Sequence, residues 1–274
     1  MPEHTGIAII DTNCFKYLRT PHEQRRVTAS LATADFELRP TAINALEAMQ
    51  NPNQDQRTTV LGVLDALAAG KPLLPWPREL LQRATDAIRN GCHDFLGPIG
   101  GLRLRTDRIT TKSCAAALAW SHTLEKTFSE YHDAARKSIQ ALIRTKPEEA
   151  PWDTAPTFLD AFWTTPSQRD TLLQSCWKSL GNAGQAPIDK MIAHPVWRMF
   201  LDLEGVAVFE RVIVHEQPRP AHHWDLRQLL YLTLRPRRIL VTDDKPLFRA
   251  ATAVLDGRYT QAQVLMWDHF RSSL

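Results

Sequence analysis

Two short apolar runs near opposite ends of the chain constrain its fold more than any other feature. They are Ile7-Ala8-Ile9-Ile10, followed by Asp11, and Ile239-Leu240-Val241-Thr242, followed by Asp243 and Asp244. Each reads as a short strand that delivers a carboxylate at its C-terminal end. Open α/β sheets hold their ligands in the crevice outside the carboxyl ends of the strands. Two such strands lying side by side would bring their acids to one edge. An amphipathic pattern over Trp224–Leu234, with Asp225 in its first turn, leads into the second run.

Between these ends the pattern is helical. Helices are expected over Cys14–Leu18 and His22–Ala32, with a short strand at Phe36-Glu37-Leu38. Pro40 suits the first turn of a helix over Thr41–Gln50, because its absent N–H would be unpaired there anyway. Helices over Thr58–Ala69 and Arg78–Asn90 follow, then a Gly-rich loop over Phe95–Thr106 and a long helix over Ala115–Arg144. Thr157–Leu180 and Pro187–Val212 continue the pattern, broken near Pro166 and Pro195. Pro246–Leu255 reads as a helix and Gln263–Trp267 as a last strand. The expected organisation is one α/β domain from residues 1–50 and 205–274, with an all-helical insertion over 51–204. The tryptophans of the middle, Trp120, Trp152, Trp163, Trp177 and Trp197, are expected to pack between helices.

Composition narrows the chemistry. With 43% hydrophobic and 23% charged residues in 274, the chain can bury a core. No apolar run approaches the roughly 20 residues of a membrane span, and no basic segment precedes the first apolar run, so a cytoplasmic protein without membrane contact is expected. Cys14, Cys92, Cys114 and Cys176 form no Cys-x-x-Cys pair, which argues against a zinc or dithiol site. A net charge of +3 does not identify a nucleic-acid binder, but its distribution is uneven. Arg103, Arg105, Arg108 and Lys112 form one cluster, read as solvated surface. Arg235, Arg237, Arg238, Lys245 and Arg249 surround the late acidic motif in sequence, where they could hold phosphates.

Four acids stand where chemistry could use them: Asp11, Glu47, Asp225 and Asp244, with Asp243 as the alternative to the last. Gathered together they would repel one another, and a hard divalent cation such as Mg²⁺ or Mn²⁺ would relieve that repulsion. Each also has a simpler role open to it. Asp11 and the Asp243-Asp244 pair could be helix N-caps, Asp225 a first-turn acid favoured by the helix dipole, and Glu47 a solvated helix residue. His222 and His223 are expected on the surface or in packing roles.

In this order and context the acids resemble those of the PIN-domain family of nucleases. The resemblance rests on Asp11-Thr12-Asn13 after the first strand, Ala45-Leu46-Glu47 in a helix, Asp225 opening Asp-Leu-Arg-Gln-Leu-Leu-Tyr-Leu, and Thr242-Asp243-Asp244 after the late strand. It covers residues 7–50 and 221–274. It implies a three-layer α/β domain with a central, mainly parallel sheet formed by both chain ends. It also implies a Mg²⁺- or Mn²⁺-dependent endoribonuclease with Asp11, Asp225 and Asp244 (or Asp243) on the metal. Glu47 would complete the site, and Thr12, Asn13 and Thr242 would orient the acids. The gap between Glu47 and Asp225 is longer than in small family members, and Glu204, Glu210 and Glu216 are alternatives for the second acid. Toxins, RNA-processing factors and anti-phage effectors all occur in that family, and an inhibitory protein partner and a homodimer would be in keeping with it. DNA remains open as a substrate. The competing readings are an inactive PIN-like scaffold that binds RNA or protein through the insertion, and a haloacid-dehalogenase-like phosphatase. The latter needs Asp-x-Asp after its first strand, where this chain has Asn13.

Overall fold

Gly6–Ile10 forms β1, and every residue in it is buried, as an unbroken apolar run requires. The computed structural model describes residues 6–91, 137, 157–160, 166–212, 225–234, 237–255 and 258–273. They fall into two compact units. One holds residues 6–80 together with the described residues from 225 to 273, and the other holds the described residues from 81 to 212.

The first unit is α/β. After β1 come a 3₁₀ helix (Thr12–Tyr17), α1 (Pro21–Thr33), β2 (Phe36–Leu38), α2 (Ala42–Gln50), α3 (Gln54–Ala68) and the start of α4 (Pro77–Asn90). The chain returns with a helical turn at 225–227, a 3₁₀ helix (Gln228–Thr233), β3 (Arg237–Thr242), α8 (Lys245–Leu255), β4 (Ala262–Met266) and α9 (Trp267–Ser272). The second unit contains α5 (Pro166–Ser179), α6 (Ile188–Ala193) and α7 (Pro195–Val212). Pro21, Pro77, Pro166 and Pro195 each open a helix, where proline's fixed φ helps and its lost donor costs nothing. Pro40 does not do so. It precedes Thr41, whose side chain is the true cap of α2.

Among the described residues, four strands pair in parallel in the order β2-β1-β3-β4. From β1 the chain crosses through α1 to β2 on one side, and much later enters β3 on the other. The direction of winding therefore reverses between β1 and β3. That reversal opens a crevice beyond the carboxyl ends of these two strands. Ile10 stands opposite Val241, and the Asp11 N–H donates to the Val241 carbonyl at 2.9 Å, carrying the ladder one residue into the loop.

Side chains alternate across the sheet. Ala8, Ile10, Phe36, Leu38 and Val241 share one core with Val27 and Leu31 of α1, Val63, Leu64 and Leu67 of α3, and Trp267 and Phe270 of α9. Ile7, Ile9 and Leu240 alternate with these and are equally buried. The unit thus covers its sheet on both faces, which is compatible with a three-layer α/β fold.

Several boundaries differ from the sequence reading. The α/β unit runs past residue 50 to residue 80, because the apolar face of α3 belongs to the same core as β1. Residues 205–212 belong to the helical unit, because α7 is one unbroken helix buried continuously from Met199 to Phe209. The helices expected over Cys14–Leu18 and Trp224–Leu234 are mostly 3₁₀, and every residue of Gln228–Thr233 is buried. Trp267 opens α9 instead of ending β4. Trp177 and Trp197 are buried as expected. The loop over Phe95–Thr106 and, apart from Lys137, the helix over Ala115–Arg144 lie outside the described residues, as do Arg103, Arg105, Arg108, Lys112, Trp120, Trp152, Trp163, Cys92 and Cys114.

One side chain ties α2 to the end of β1. Asn44 accepts from the Thr41 N–H at 2.8 Å and donates through Nδ2 to the Ile10 carbonyl at 3.1 Å and to Thr12 Oγ1 at 2.9 Å. The Thr41 hydroxyl accepts from the Asn44 N–H, which closes a capping box. The Thr41 and Ile10 bonds are buried and the Thr12 bond partly so, and deleting the amide strands donors and acceptors together. Asn44→Ala is expected to cost about 2–4 kcal/mol in a denaturant titration. A loss below about 0.5 kcal/mol would mean that Asn44 does not hold these two elements together.

Candidate metal centre

The carboxylate of Asp11 emerges at the carboxyl end of β1, only 3% exposed. Thr242, the last residue of β3, donates its hydroxyl to Asp11 Oδ2 at 2.6 Å. Gln228, fully buried in the 3₁₀ helix, donates Nε2 to Asp11 Oδ1 at 3.3 Å. Each carboxylate oxygen has room for two partners. With a third bond from the Thr12 N–H, these fix the orientation of Asp11 and leave capacity for a further partner.

Glu47 follows Asn44 by three residues, so both lie on one face of α2 and the Asn44 anchor aims Glu47 at the same crevice. Thr12, itself held by Asn44, hydrogen-bonds to Glu47. Asp225 precedes Gln228 by three residues, which places it on the Asp11 side of that helical turn. The outcome is a triad: one carboxylate oxygen from each of Asp11, Glu47 and Asp225 lies within 4.8 Å of the others.

Electrostatics mark this cluster as uncomfortable. Burial, then the charges of Asp11 and Asp225, push the Glu47 carboxyl well above its ordinary range. Burial also raises Asp11, against the pull of the Thr242 and Gln228 hydrogen bonds, and the nearby charge of Asp244 raises it further. Two buried acceptors have no hydrogen-bond partner among the described residues, Glu47 Oε2 and Gln228 Oε1. Both belong to this site. The donor set is oxygen only, as hard divalent cations require. Two oxygens on opposite sides of Mg²⁺ or Mn²⁺ stand roughly 4.2 Å apart. Only one pair of three ligands can stand opposite, so oxygens spread over as much as 4.8 Å would each move inward by up to roughly 0.7 Å to share one cation. The oxygen-only donor set suits a divalent cation.

The other expected residues are placed as follows. Asp244 accepts from the Leu247 N–H at 2.8 Å and so caps α8, close enough to Asp11 to raise its proton affinity. Asp243 turns toward the 3₁₀ helix after β1, accepting from Lys16 at 2.6 Å and Tyr17 at 2.9 Å. That bond to Lys16 holds Asp243 below the usual carboxylate range. Asn13 accepts from the Asp243 N–H at 3.1 Å, lacing the two loops together instead of touching the acids. Thr242 hydrogen-bonds to Asp11 and Thr12 to Glu47.

The bases that are contiguous in sequence are separated in space. Arg237 opens β3, at the opposite end from Thr242, with its guanidinium over the Phe36 ring at 4.6 Å. A six-residue strand spans about 16 Å, which carries Arg237 and Arg238 away from the acids. Lys245, exposed beside Asp244, stays at the acidic edge, and Arg249 lies one turn further along α8. Arg235, Glu216, His222 and His223 lie outside the described residues. Glu204 is buried in α7 of the helical unit, and Glu210 lies on the same helix.

Sequence reading missed Gln228, Asn44 and Lys16. The first two were signalled by spacing: each stands three residues from an acid on its own helix, Asn44 before Glu47 and Gln228 after Asp225. Lys16 carries no such signal, since only the fold brings it to Asp243. No protein-family model matches the chain, and no curated protein or solved structure is significantly similar to it.

Because the folded state raises the proton affinity of Asp11 and Glu47, it binds protons that the unfolded chain releases above its ordinary carboxyl values of 3.8 and 4.5. In EDTA this contribution to stability is fully present below those values and is lost as pH rises through the raised ones. Glu47→Gln removes one of the mutually repelling charges. At pH 7.5 in EDTA it is expected to stabilise the fold by about 1 kcal/mol, roughly 2–4 °C in Tm. Mg²⁺ or Mn²⁺ should stabilise the wild type and have little effect on the variant. Thermal melts with and without the cation read both effects, and a destabilised apo variant would contradict the picture of repelling acids.

Proposed function

We propose that this chain is a metal-dependent nuclease of the PIN type, cleaving RNA in preference to DNA. One observation carries the reading: Asp11, Glu47 and Asp225 converge at the crevice where a parallel sheet reverses its winding, beyond the carboxyl ends of its strands. The preference for RNA comes from the PIN resemblance of the motifs.

Asp11, Glu47 and Asp225 would hold Mg²⁺ or Mn²⁺. A divalent cation bound there supplies charge against the negative charge that builds on a phosphate during displacement, and acidifies water. The chain's own residues do the rest. Thr242 and Gln228 hold the Asp11 carboxylate in one orientation, and Asn44 with Thr12 does the same for Glu47. Asp244 adds negative charge beside Asp11 while capping α8, so it strengthens the field on a cation without leaving its helix. Lys245, exposed at the same edge, is placed to meet a neighbouring phosphate. Water attack at phosphorus leaves a 5′-phosphate and a 3′-hydroxyl.

The test is cleavage of end-labelled single-stranded RNA and DNA in Mg²⁺, Mn²⁺ or EDTA, with Asp11→Asn and Asp225→Asn alongside. Cleavage of RNA that needs the metal and falls more than about 100-fold in both variants is expected, since even groups that only support metal ligands are worth 10–100-fold. Ends carrying 2′,3′-cyclic phosphate would rule out the water-attack route. RNA retained without cleavage, equally by wild type and Asp11→Asn, would replace the enzyme with a binding scaffold.

A further inference from the structure

Among the described residues, five buried side-chain atoms have no hydrogen-bond partner: Arg39 Nε, Trp197 Nε1, Trp267 Nε1, Glu47 Oε2 and Gln228 Oε1. Three are donors scattered over the fold. The two acceptors both belong to the acidic site. Gln228 is fully buried, on the same helical turn as Asp225, and its Nε2 is committed to Asp11 Oδ1 at 3.3 Å. An amide's oxygen and nitrogen are about 2.2 Å apart, so Oε1 lies within roughly 5.5 Å of that Asp11 oxygen. A buried amide oxygen without a donor is costly, and a ligand that supplies the donor removes that cost.

The two acceptors call for different things. A carboxylate oxygen is satisfied by positive charge alone. A neutral amide oxygen is satisfied by a proton donor. A bare cation serves only Glu47; a cation that keeps part of its hydration shell serves both. A water about 2.1 Å from Mg²⁺ and about 2.8 Å from Oε1 would link the two over roughly 5 Å.

We propose that Gln228 is a positioning residue of the metal centre, its Nε2 fixing Asp11 and its Oε1 accepting a hydrogen bond from a water in the cation's hydration shell. The consequence is selectivity. Gln228 favours a small cation that holds its water in a regular octahedron over Ca²⁺, whose looser shell takes more protein oxygens. This rests on the metal centre of the proposed nuclease but not on its choice of polymer.

The test is calorimetric titration of the full chain with Mg²⁺ and Ca²⁺, separately, for the wild type, Gln228→Met and Gln228→Glu. Gln228→Met keeps the volume and removes both polar atoms. It is expected to weaken Mg²⁺ binding about tenfold or more and Ca²⁺ binding less than about threefold. Gln228→Glu keeps an acceptor but not the donor. It is expected to hold the Mg²⁺-to-Ca²⁺ affinity ratio within about threefold of wild type, and it decides the question alone if the Met variant does not fold. Equal weakening of both cations in Gln228→Met would reduce Gln228 to a support for Asp11 and overturn the proposal. A shifted ratio in Gln228→Glu would do the same, as would a wild type that binds neither cation. Wild type that binds Mg²⁺ with the expected ratios but cleaves neither RNA nor DNA would sink the nuclease reading and leave Gln228 in its role.

Discussion

The parallel pairing of β1 with β3 is the contact on which the rest of the α/β unit depends. It places the Ile10–Asp11 junction against Val241–Thr242 and opens the crevice where the winding reverses. It also sets the two loops close enough to be sewn together. Asn13, Lys16 and Tyr17 from one loop meet Asp243 from the other, while Thr242 reaches back to Asp11. No single one of these contacts is strong. Together they hold a buried carboxylate where an isolated strand end would let it turn to water.

Asp11 is held in the acidic cluster by neutral groups: among the described residues its side-chain donors are a threonine hydroxyl and a glutamine amide. Lys16, the nearest base shown pairing with an acid of these loops, is spent on Asp243.

Much of this was legible before any coordinates. The strands at Ile7–Ile10 and Ile239–Thr242 announced themselves as unbroken apolar runs, and their terminal acids marked the edge that matters. Glu47 and Asp225 could be placed because helical periodicity fixes which face a residue shares with the core. What could not be read was the division of labour inside Thr242-Asp243-Asp244. One residue supports Asp11, the next pairs with Lys16, and the last caps a helix. These are differences of side-chain direction over three adjacent residues, set by the loop's tertiary contacts. The basic cluster misled for the opposite reason. Residues close in sequence were treated as close in space, whereas an extended strand separates its two ends more than any other element does. The extent of the α/β unit was missed because α3 has only a modest apolar stripe, and its partner strands lie far away in sequence.

β1 is central in the sheet, yet one of its two neighbours is made more than 200 residues later. Closing so long a loop is entropically costly and slow, and pairings of this kind lengthen folding. During synthesis, β1 and β2 emerge early and must wait with one side of the central strand unpaired. Asp11 has neither Thr242 nor Gln228 beside it until the residues around 240 have left the ribosome. A nascent chain therefore cannot assemble the acidic crevice while most of it is still being made. The crevice is thus a late product of synthesis, assembled only when both ends of the chain are present.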